Sequence, residues 1–396
     1  MAQRPDTVEF IDNLRQQLQE LFPTRLDKAG RVNLKELNPA ELEQFFAVLG
    51  ESRYRVQQFL NWIYIKRVLT FAQMTDLSAK LRGRLELLAC VPSLALADPR
   101  QSRQDTSKYL FALPDGNMVE SVKMRYLEHL GPGRVAVCIS SQVGCAMQCQ
   151  FCASGQAGLV RNLQAWEIVD QALQIQRLLD SCGERVANVV FMGIGEPMRN
   201  LDNVLRAVEL LNCGDGFGVG MRHIAISTCG VVPGIDRLAQ LKYPLKLAIS
   251  LHAPTDSLRS KLMPVNRRWN LAELMASCHR YQEAVGRRIT FEYVMLEGVN
   301  DSLEDAERLV KLLKGLRSLV NLIPWNAVEH PAFKRSSAAR VRRFQERVEE
   351  LGVRCTLRRE KGSDIDAACG QLRLHKMAEY KDKGGESPEE AVELFE

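Results

Sequence analysis

Val135-Ala-Val-Cys-Ile-Ser-Ser-Gln-Val-Gly-Cys-Ala-Met-Gln-Cys-Gln-Phe-Cys152 runs an apolar strand directly into three cysteines, Cys145, Cys149 and Cys152. The strand opens a series, and the C-x3-C-x2-C spacing that follows selects a cofactor. Four protein thiolates would close a [4Fe–4S] cluster for electron transfer. Three leave one iron open to a small chelating molecule. A structural zinc site would instead pair C-x2-C with a second Cys or His pair downstream. The next histidine is His223, and no such pair accompanies it.

Outward from this stretch, short apolar strands alternate with helical segments. The strands begin with Val135-Ala-Val-Cys-Ile and continue with Ala187-Asn-Val-Val-Phe-Met, His223-Ile-Ala-Ile-Ser and Leu245-Lys-Leu-Ala-Ile-Ser-Leu. Ile289-Thr-Phe-Glu-Tyr-Val-Met and Leu319-Val-Asn-Leu-Ile-Pro complete the set. Helical periodicity falls near 165–181, 201–212, 233–241, 271–284, 303–314 and 336–351. Alternation of this kind implies right-handed βαβ units and a parallel sheet. Six repeats fall short of a closed eight-stranded barrel, so the expected fold is α/β, a partial (β/α)6 TIM-like barrel. Functional residues then belong at the C-terminal ends of the strands. Glu196, Ser227, Ser250, His252 and Asn326 all fall there.

The remaining chain divides around this core. Residues 1–97 read as a helical accessory domain, with helices expected at 40–49, 52–66 and 72–88. Trp62 and Tyr54 lie among Arg55, Lys66 and Arg67, an arrangement open to RNA contact or to core packing beside solvated charge. Residues 98–134 read as a β-hairpin linker turning at Asp115-Gly116. The barrel spans 135–375, and 376–396 form a charged tail expected to fray.

Composition bounds the setting. Eleven cysteines, an odd and scattered set in 396 residues, argue for reduced thiols rather than a disulfide framework. Met1-Ala-Gln-Arg-Pro-Asp6 has no apolar stretch of a signal peptide, and no apolar run reaches the ~20 residues of a membrane span. A cytoplasmic protein is expected. A net charge of +5 permits a nucleic-acid substrate without requiring one. Basic clusters stand at Arg267-Arg268, Arg287-Arg288, Lys334-Arg335 with Arg340, Arg342 and Arg343, and Arg358-Arg359 with Lys361. The last is the best candidate for phosphate contact, and the others read as solvated faces.

Two further motifs complete the constellation. Gly193-Ile-Gly-Glu-Pro197 follows an apolar strand, where glycines let backbone approach a ligand and Glu196 can accept from an ammonium group. Its spacing is not that of a dinucleotide G-x-G-x-x-G, which excludes a nicotinamide or flavin fold. Cys369 sits in Gly362-Ser-Asp-Ile-Asp-Ala-Ala-Cys-Gly-Gln371, among small neighbours that suit a closely approached thiol. Those residues alone favour an inert, half-buried loop cysteine.

These stretches, in this order, resemble one family. Ser140 to Leu163 around the triad, Met192-Gly-Ile-Gly-Glu-Pro197, Ile226-Ser-Thr-Cys-Gly-Val-Val-Pro233 and Ile249-Ser-Leu-His-Ala-Pro254 carry the resemblance. So do Asn321-Leu-Ile-Pro-Trp-Asn326 and Asp364-Ile-Asp-Ala-Ala-Cys-Gly-Gln-Leu372. The pattern is similar to the radical S-adenosylmethionine (SAM) RNA methyltransferases that act on adenine ring carbons, and among them to the RlmN-type carbon-2 group. The resemblance covers roughly residues 105–375.

What the resemblance implies is specific. Cys145, Cys149 and Cys152 hold a [4Fe–4S] cluster whose open iron binds SAM. Gly195 and Glu196 hold the SAM methionine amine. Ser227, Ser250, Leu251, His252 and Asn326 line its ribose, carboxylate and adenine. Cys369 is methylated by one SAM, and a second SAM supplies the radical that activates the S-methyl group for addition to adenine. Cys138 then releases product as a Cys138–Cys369 disulfide, and Glu120 accepts the ring proton. The connection 126–134 is longer than the family pattern, which places Glu120 less firmly than the cysteines. The implied substrates are 23S ribosomal RNA and transfer RNA, with an electron donor such as flavodoxin or ferredoxin and a monomeric enzyme. The rival readings are carbon-8 methylation of the same ribosomal RNA and a non-catalytic metal-bearing RNA-binding protein.

Overall fold

Polar caps divide the N-terminal sequence into helices. The computed structural model describes residues 8–101, 106–125, 133–156, 158–326, 333–358, 365 and 375–376. It opens with α1 (Val8–Leu21), α2 (Pro39–Val48), α3 (Tyr54–Leu60) and α4 (Ala79–Leu88). Asn38 starts α2 through a capping box with Glu41, and Pro39 occupies the first turn, where a missing N–H costs nothing. The helix expected over 52–66 changes pitch at Asn61, where Asn61–Ile65 forms a π-helical turn. The one expected over 72–88 begins only at Ala79. Ser78 caps it there, while Thr70 caps a separate 3-10 turn at Phe71–Gln73, so two caps split one periodic run.

Three antiparallel strands follow, β1 (Ala95–Gln101), β2 (Thr106–Ala112) and β3 (Asn117–Arg125). Gly116, at φ +80°, turns β2 into β3 as its sequence predicts. β4 (Arg134–Cys138) pairs antiparallel with β3 and begins the parallel core. A two-stranded ladder of β5 (Gln142–Gly144) and β6 (Leu159–Asn162) then brackets the cysteine triad.

The βαβ units come next: α5 (Ala165–Asp180), β7 (Arg185–Phe191), α6 (Leu201–Asn212), β8 (Ile224–Thr228) and α7 (Val232–Leu241). They continue with β9 (Lys246–Ser250), α8 (Asp256–Leu262), α9 (Leu271–Val285), β10 (Ile289–Met295) and α10 (Leu303–Leu312). The last are β11 (Ser318–Pro324), α11 (Ala338–Glu350) and β12 (Cys355–Leu357), and β13 (His375–Lys376) pairs with β3.

The sheet runs β12-β11-β10-β9-β8-β7-β4-β3-β2-β1 and does not close. Its seven parallel strands are β4 and β7 to β12. The fold is therefore the expected radical SAM type of open α/β barrel, with two differences. A seventh parallel strand, β12, was too short to show periodicity. The hairpin expected as a linker contributes β1 to β3 to the same sheet. Among the described residues no helix is long and apolar enough to cross a membrane.

The N-terminal helices are tied to α5 by a buried ion pair. Lys35 Nζ donates to Asp170 Oδ1 at 2.7 Å, and both side chains are almost wholly buried. Asp170 Oδ2 also accepts from Leu94 N at 2.7 Å and Gln174 Nε2 at 3.0 Å. Nearby, Glu36 Oε1 accepts from Trp166 N at the start of α5, and Arg206 of α6 forks onto Glu41. Removing one partner of a buried pair strands the other charge. Lys35→Met is expected to cost about 3–5 kcal/mol in urea unfolding. Lys35→Met combined with Asp170→Asn should recover part of that loss.

Candidate active site

The cysteine segment is held by close backbone approach. Leaving β4, Ile139 N donates to Val190 O, and Ser141 N donates to Ile194 O, so 139–142 lies across the end of β7. A Cβ on Gly193 would stand 2.7 Å from Ile139 O, and one on Gly195 (φ +107°) would stand 2.6 Å from Gln142 Cβ. The glycines of Gly193-Ile-Gly-Glu-Pro197 are thus required by the cysteine segment itself, beyond any approach to a ligand. Gly144, at φ +75°, is stricter still, since its Cβ would meet Gly158 O at 2.0 Å. Cys145 N donates to Gly158 O, Cys152 N to Cys149 O and Gln150 N to Leu262 O, which pins the loop at three points.

This loop forms one wall of a cavity at the C-terminal strand ends. Cys145, Cys149 and Cys152 line it together with Gly195, Glu196, Ser227, Ser250, His252 and Asn326. Nine of the ten positions assigned from sequence to cluster and SAM therefore converge. The tenth does not: Leu251 is wholly buried in the apolar core, because the alternation at the end of β9 turns its side chain away.

Glu196 is almost fully buried, and burial pushes its carboxyl above the usual range. Its Oε1 accepts from Met198 N at 3.0 Å and its Oε2 from Cys229 N at 2.7 Å, and the Thr228 and Cys229 side chains hydrogen-bond to the same carboxyl. Ser227 Oγ and Ser250 Oγ stand 3.5 Å apart on adjacent strands. His252 is held at φ +58°, and its Nδ1 accepts from Val294 N at 3.0 Å. Burial lowers its pKa to about 3, so the ring is neutral and carries its proton on Nε2. His252 packs edge-on against Phe151 of the cysteine loop, with ring centroids 4.7 Å apart. It is a fixed donor, not a general base.

Three further residues at or beneath the cavity were not singled out from sequence. Glu292 lines the cavity, and its Oε2 accepts from Asn321 Nδ2 at 2.8 Å. Burial raises its pKa, opposed by Arg358, which lines the same cavity. The signal available was one carboxylate inside the apolar run Ile289–Met295. Arg259, wholly buried, donates to Leu251 O, Ser250 O, Cys229 O and Asn266 Oδ1, and so gathers two strand ends beneath the site. Its regular helical position in α8 gave no sequence signal. Cys229, within the Ile226–Pro233 stretch, lines the cavity wall as well.

Comparison with known proteins agrees with this architecture. Residues 32–91 match the ribosomal RNA large subunit methyltransferase N-terminal domain, and residues 139–313 match the radical SAM superfamily. A probable dual-specificity RNA methyltransferase RlmN from Thermoanaerobacter sp. (strain X514) is 48% identical over 88% of this chain and 99% of its own length. The corresponding protein of Symbiobacterium thermophilum is 50% identical over 87% and 92%. A crystal structure of a radical SAM methyltransferase from Sphaerobacter thermophilus superposes with a TM-score of 0.82 at 44% identity, over 86% of this chain and 99% of that one. The chain belongs to the RlmN family of radical SAM RNA methyltransferases.

That family implies SAM and a [4Fe–4S] cluster, and the cavity fits both. None of its three triad cysteines is in a disulfide. Among the described residues no three His, Cys, Asp or Glu side chains group closely enough to share one metal ion. Thiols spread along a wall suit a cluster, in which each thiolate binds a different iron. Burial pushes the Cys145 thiol up to about 12 and the Cys149 thiol well above its ordinary range, while the Arg259 charge opposes the rise at Cys149. Iron would supply the rest of the positive charge these thiolates need.

The other family residues lie beside the cavity or outside the described residues. Cys138 is buried at the end of β4, opposite Val122 of β3, in an apolar cluster with Met124, Ala136 and Ile194. Met192, which lines the cavity, and Ile365 pack on the same cluster. Glu120 lies two residues before Val122, on the same face of β3. It is buried and paired with Lys108 Nζ at 2.9 Å, unlike the outward carboxylate its strand pattern suggests. Cys369, Arg359, Lys361, the connection 126–132 and the tail beyond Lys376 lie outside the described residues.

Cys145, Cys149 and Cys152 replaced together by Ala should abolish iron retention after anaerobic reconstitution, measured by iron and sulfide content. Gly144→Ala should lose the cluster while circular dichroism shows the barrel folded. Retention of four irons per chain in either variant would contradict this site.

Proposed function

We propose that this enzyme methylates carbon 2 of adenosine in 23S ribosomal RNA and in transfer RNA. What carries the reading is the convergence of nine assigned cluster and SAM positions on one cavity, in a chain 48% identical to dual-specificity RNA methyltransferases. When bound, the cluster supplies the electron that cleaves SAM to a 5′-deoxyadenosyl radical. The chain's own residues do the remaining work. Cys145, Cys149 and Cys152 hold the iron. Gly195 and Glu196 orient the methionine amine, and Ser227, Ser250, the neutral His252 and Asn326 position the rest of SAM.

Adenine carbon 2 is an electrophilic amidine carbon, so it cannot attack the electrophilic SAM methyl group directly. Cys369 first takes a methyl from one SAM by displacement. The radical from a second SAM would remove hydrogen from that S-methyl group, whose carbon would then add to the ring, with the unpaired electron of the adduct going back to the oxidised cluster that supplied it. Glu120, its charge balanced by Lys108 in the buried pair, accepts the ring proton. The Cys138 thiolate attacks the Cys369 sulfur, the bond from that sulfur to the methylene carbon breaks, its electron pair leaves on the carbon and takes a proton to complete the methyl group, and a Cys138–Cys369 disulfide forms. Ile365, four residues before Cys369, packs on the cluster containing Cys138, which supports a close approach of the two thiols.

Two SAM molecules are consumed per turnover, with flavodoxin or ferredoxin as donor to a monomeric, cytoplasmic enzyme. The target adenosine must leave its stack to reach the cavity. The helical accessory domain, 1–97, and the barrel, 135–375, together form the RNA-facing unit in this reading.

Nucleoside mass spectrometry of ribosomal and transfer RNA, from cells with and without the gene, tests the substrate. Gene-dependent 2-methyladenosine is expected in both, and 8-methyladenosine in either would replace the carbon-2 assignment. Cys138→Ala should stall as a covalent protein–RNA adduct retained in denaturing gels. Cys369→Ala should form no adduct while keeping its iron.

A further inference from the structure

Each parallel strand begins with a cation. Arg134 and Arg185 are the first residues of β4 and β7, and Arg222-His223 immediately precede β8. Lys246 is the first residue of β9, Arg287-Arg288 precede β10, Arg317 precedes β11 and Arg354 precedes β12. Lys and Arg make up 53 of 396 residues, so a basic residue at all seven starts is not what composition alone would produce. Because those strands are adjacent and parallel, the seven starts lie side by side along one edge. All these residues are exposed except Arg287, which is half-buried. Arg287-Arg288, an ordinary solvated pair in sequence, becomes the middle of a row.

The side chains are close enough to feel one another. Partial burial lowers the pKa of Lys246, and Arg287 and Arg288 lower it further. His223 is likewise lowered by burial and then by Lys246, Arg134 and Arg185. Arg317 donates to Gly286 O at 2.8 Å, which sets its guanidinium beside Arg287. Among the described residues, no carboxylate forms an ion pair with Arg134, Arg185, Arg222, Lys246, Arg287 or Arg288. Glu184, next to Arg185, is engaged by Arg125, and Asp180 at the end of α5 by Arg67. A row of like charges without internal neutralisation is destabilising on its own and attracts a polyanion.

We propose that this edge binds the phosphodiester backbone of the substrate RNA, away from the adenosine in the cavity. The inference rests on the RNA-methylating reading and adds a second, distal contact to it. Strands of five to seven residues separate the edge from the cavity by roughly 17–23 Å at about 3.3 Å per residue. An electron donor docked here would sit on the far side of the barrel from the cluster. A folded RNA is large enough to reach both ends, and phosphate contact positions it without reading sequence.

The test uses the full chain, with full-length transfer RNA and a short anticodon-stem hairpin as probes. Lys246→Glu/Arg287→Glu/Arg288→Glu should weaken binding of full-length transfer RNA at least tenfold. The slope of log K against log salt should shrink by about 2–3, at roughly 0.7–0.9 per phosphate contact. Methylation of the hairpin, too short to reach the edge, should be unchanged. The neutral set Lys246→Gln/Arg287→Gln/Arg288→Gln should shrink the slope without loss of thermal stability. Wild-type affinity and slope in both sets would overturn the proposal. So would equal losses on hairpin and full-length RNA, or unchanged RNA binding with slower cluster reduction by flavodoxin, which would assign the edge to an acidic protein. Failure of the RNA-methylating reading would appear separately, as a wild-type enzyme that methylates neither probe.

Discussion

The active site depends on one close approach, the laying of residues 139–142 across the end of β7. Gly193 and Gly195 leave no room for a Cβ there, and Gln142 Oε1 accepts from Glu196 N at 2.8 Å. Through this contact the segment that presents the cysteines is indexed against the carboxylate proposed to face SAM. Cluster and co-substrate therefore share a common reference in backbone rather than in flexible side chains. Ser140 extends the same register, since its Oγ donates to Glu120 O at 2.7 Å and accepts from Ile194 N. The proposed proton acceptor is thereby fixed to the same joint.

Beneath the joint, buried charges are compensated by backbone as much as by other side chains. Glu196 is satisfied by two amide N–H groups, and Arg259 mainly by carbonyl oxygens. Such bonds are strong where solvent is excluded, and they fail together when one strand end shifts. That arrangement suits a site in which a radical must meet one C–H bond and not its neighbours.

Much of this was legible in sequence, and for local reasons. The parallel strands read as uninterrupted apolar runs because they are buried on both faces, and most helices announced their caps. Cysteine spacing and strand-end polar residues located the cavity. What sequence did not reveal came from tertiary context. β12 is three residues long and exists through pairing with β11. Asn61–Ile65 keeps helical composition while changing pitch. Glu120 reads as a solvent-facing strand carboxylate, yet helix α5 covers one face of its sheet and Lys108 meets it on the other. Leu251, placed in the SAM set by the family resemblance, has its side chain in the apolar core, where alternation along β9 sends it.

The sheet's failure to close has a mechanical consequence. A closed barrel admits its reactant only through a rim, and the rim's girth limits what can enter. Among the described residues the parallel series ends at β12 and the antiparallel series at β1, and no ladder of hydrogen bonds joins the two. A seam of this kind can widen by twisting the outer strands, without breaking pairing between β7, β8 and β9, whose ends carry the proposed SAM site. One nucleotide of a much larger molecule can then be offered sideways. The fold thus separates gripping a small co-substrate from accommodating a large one.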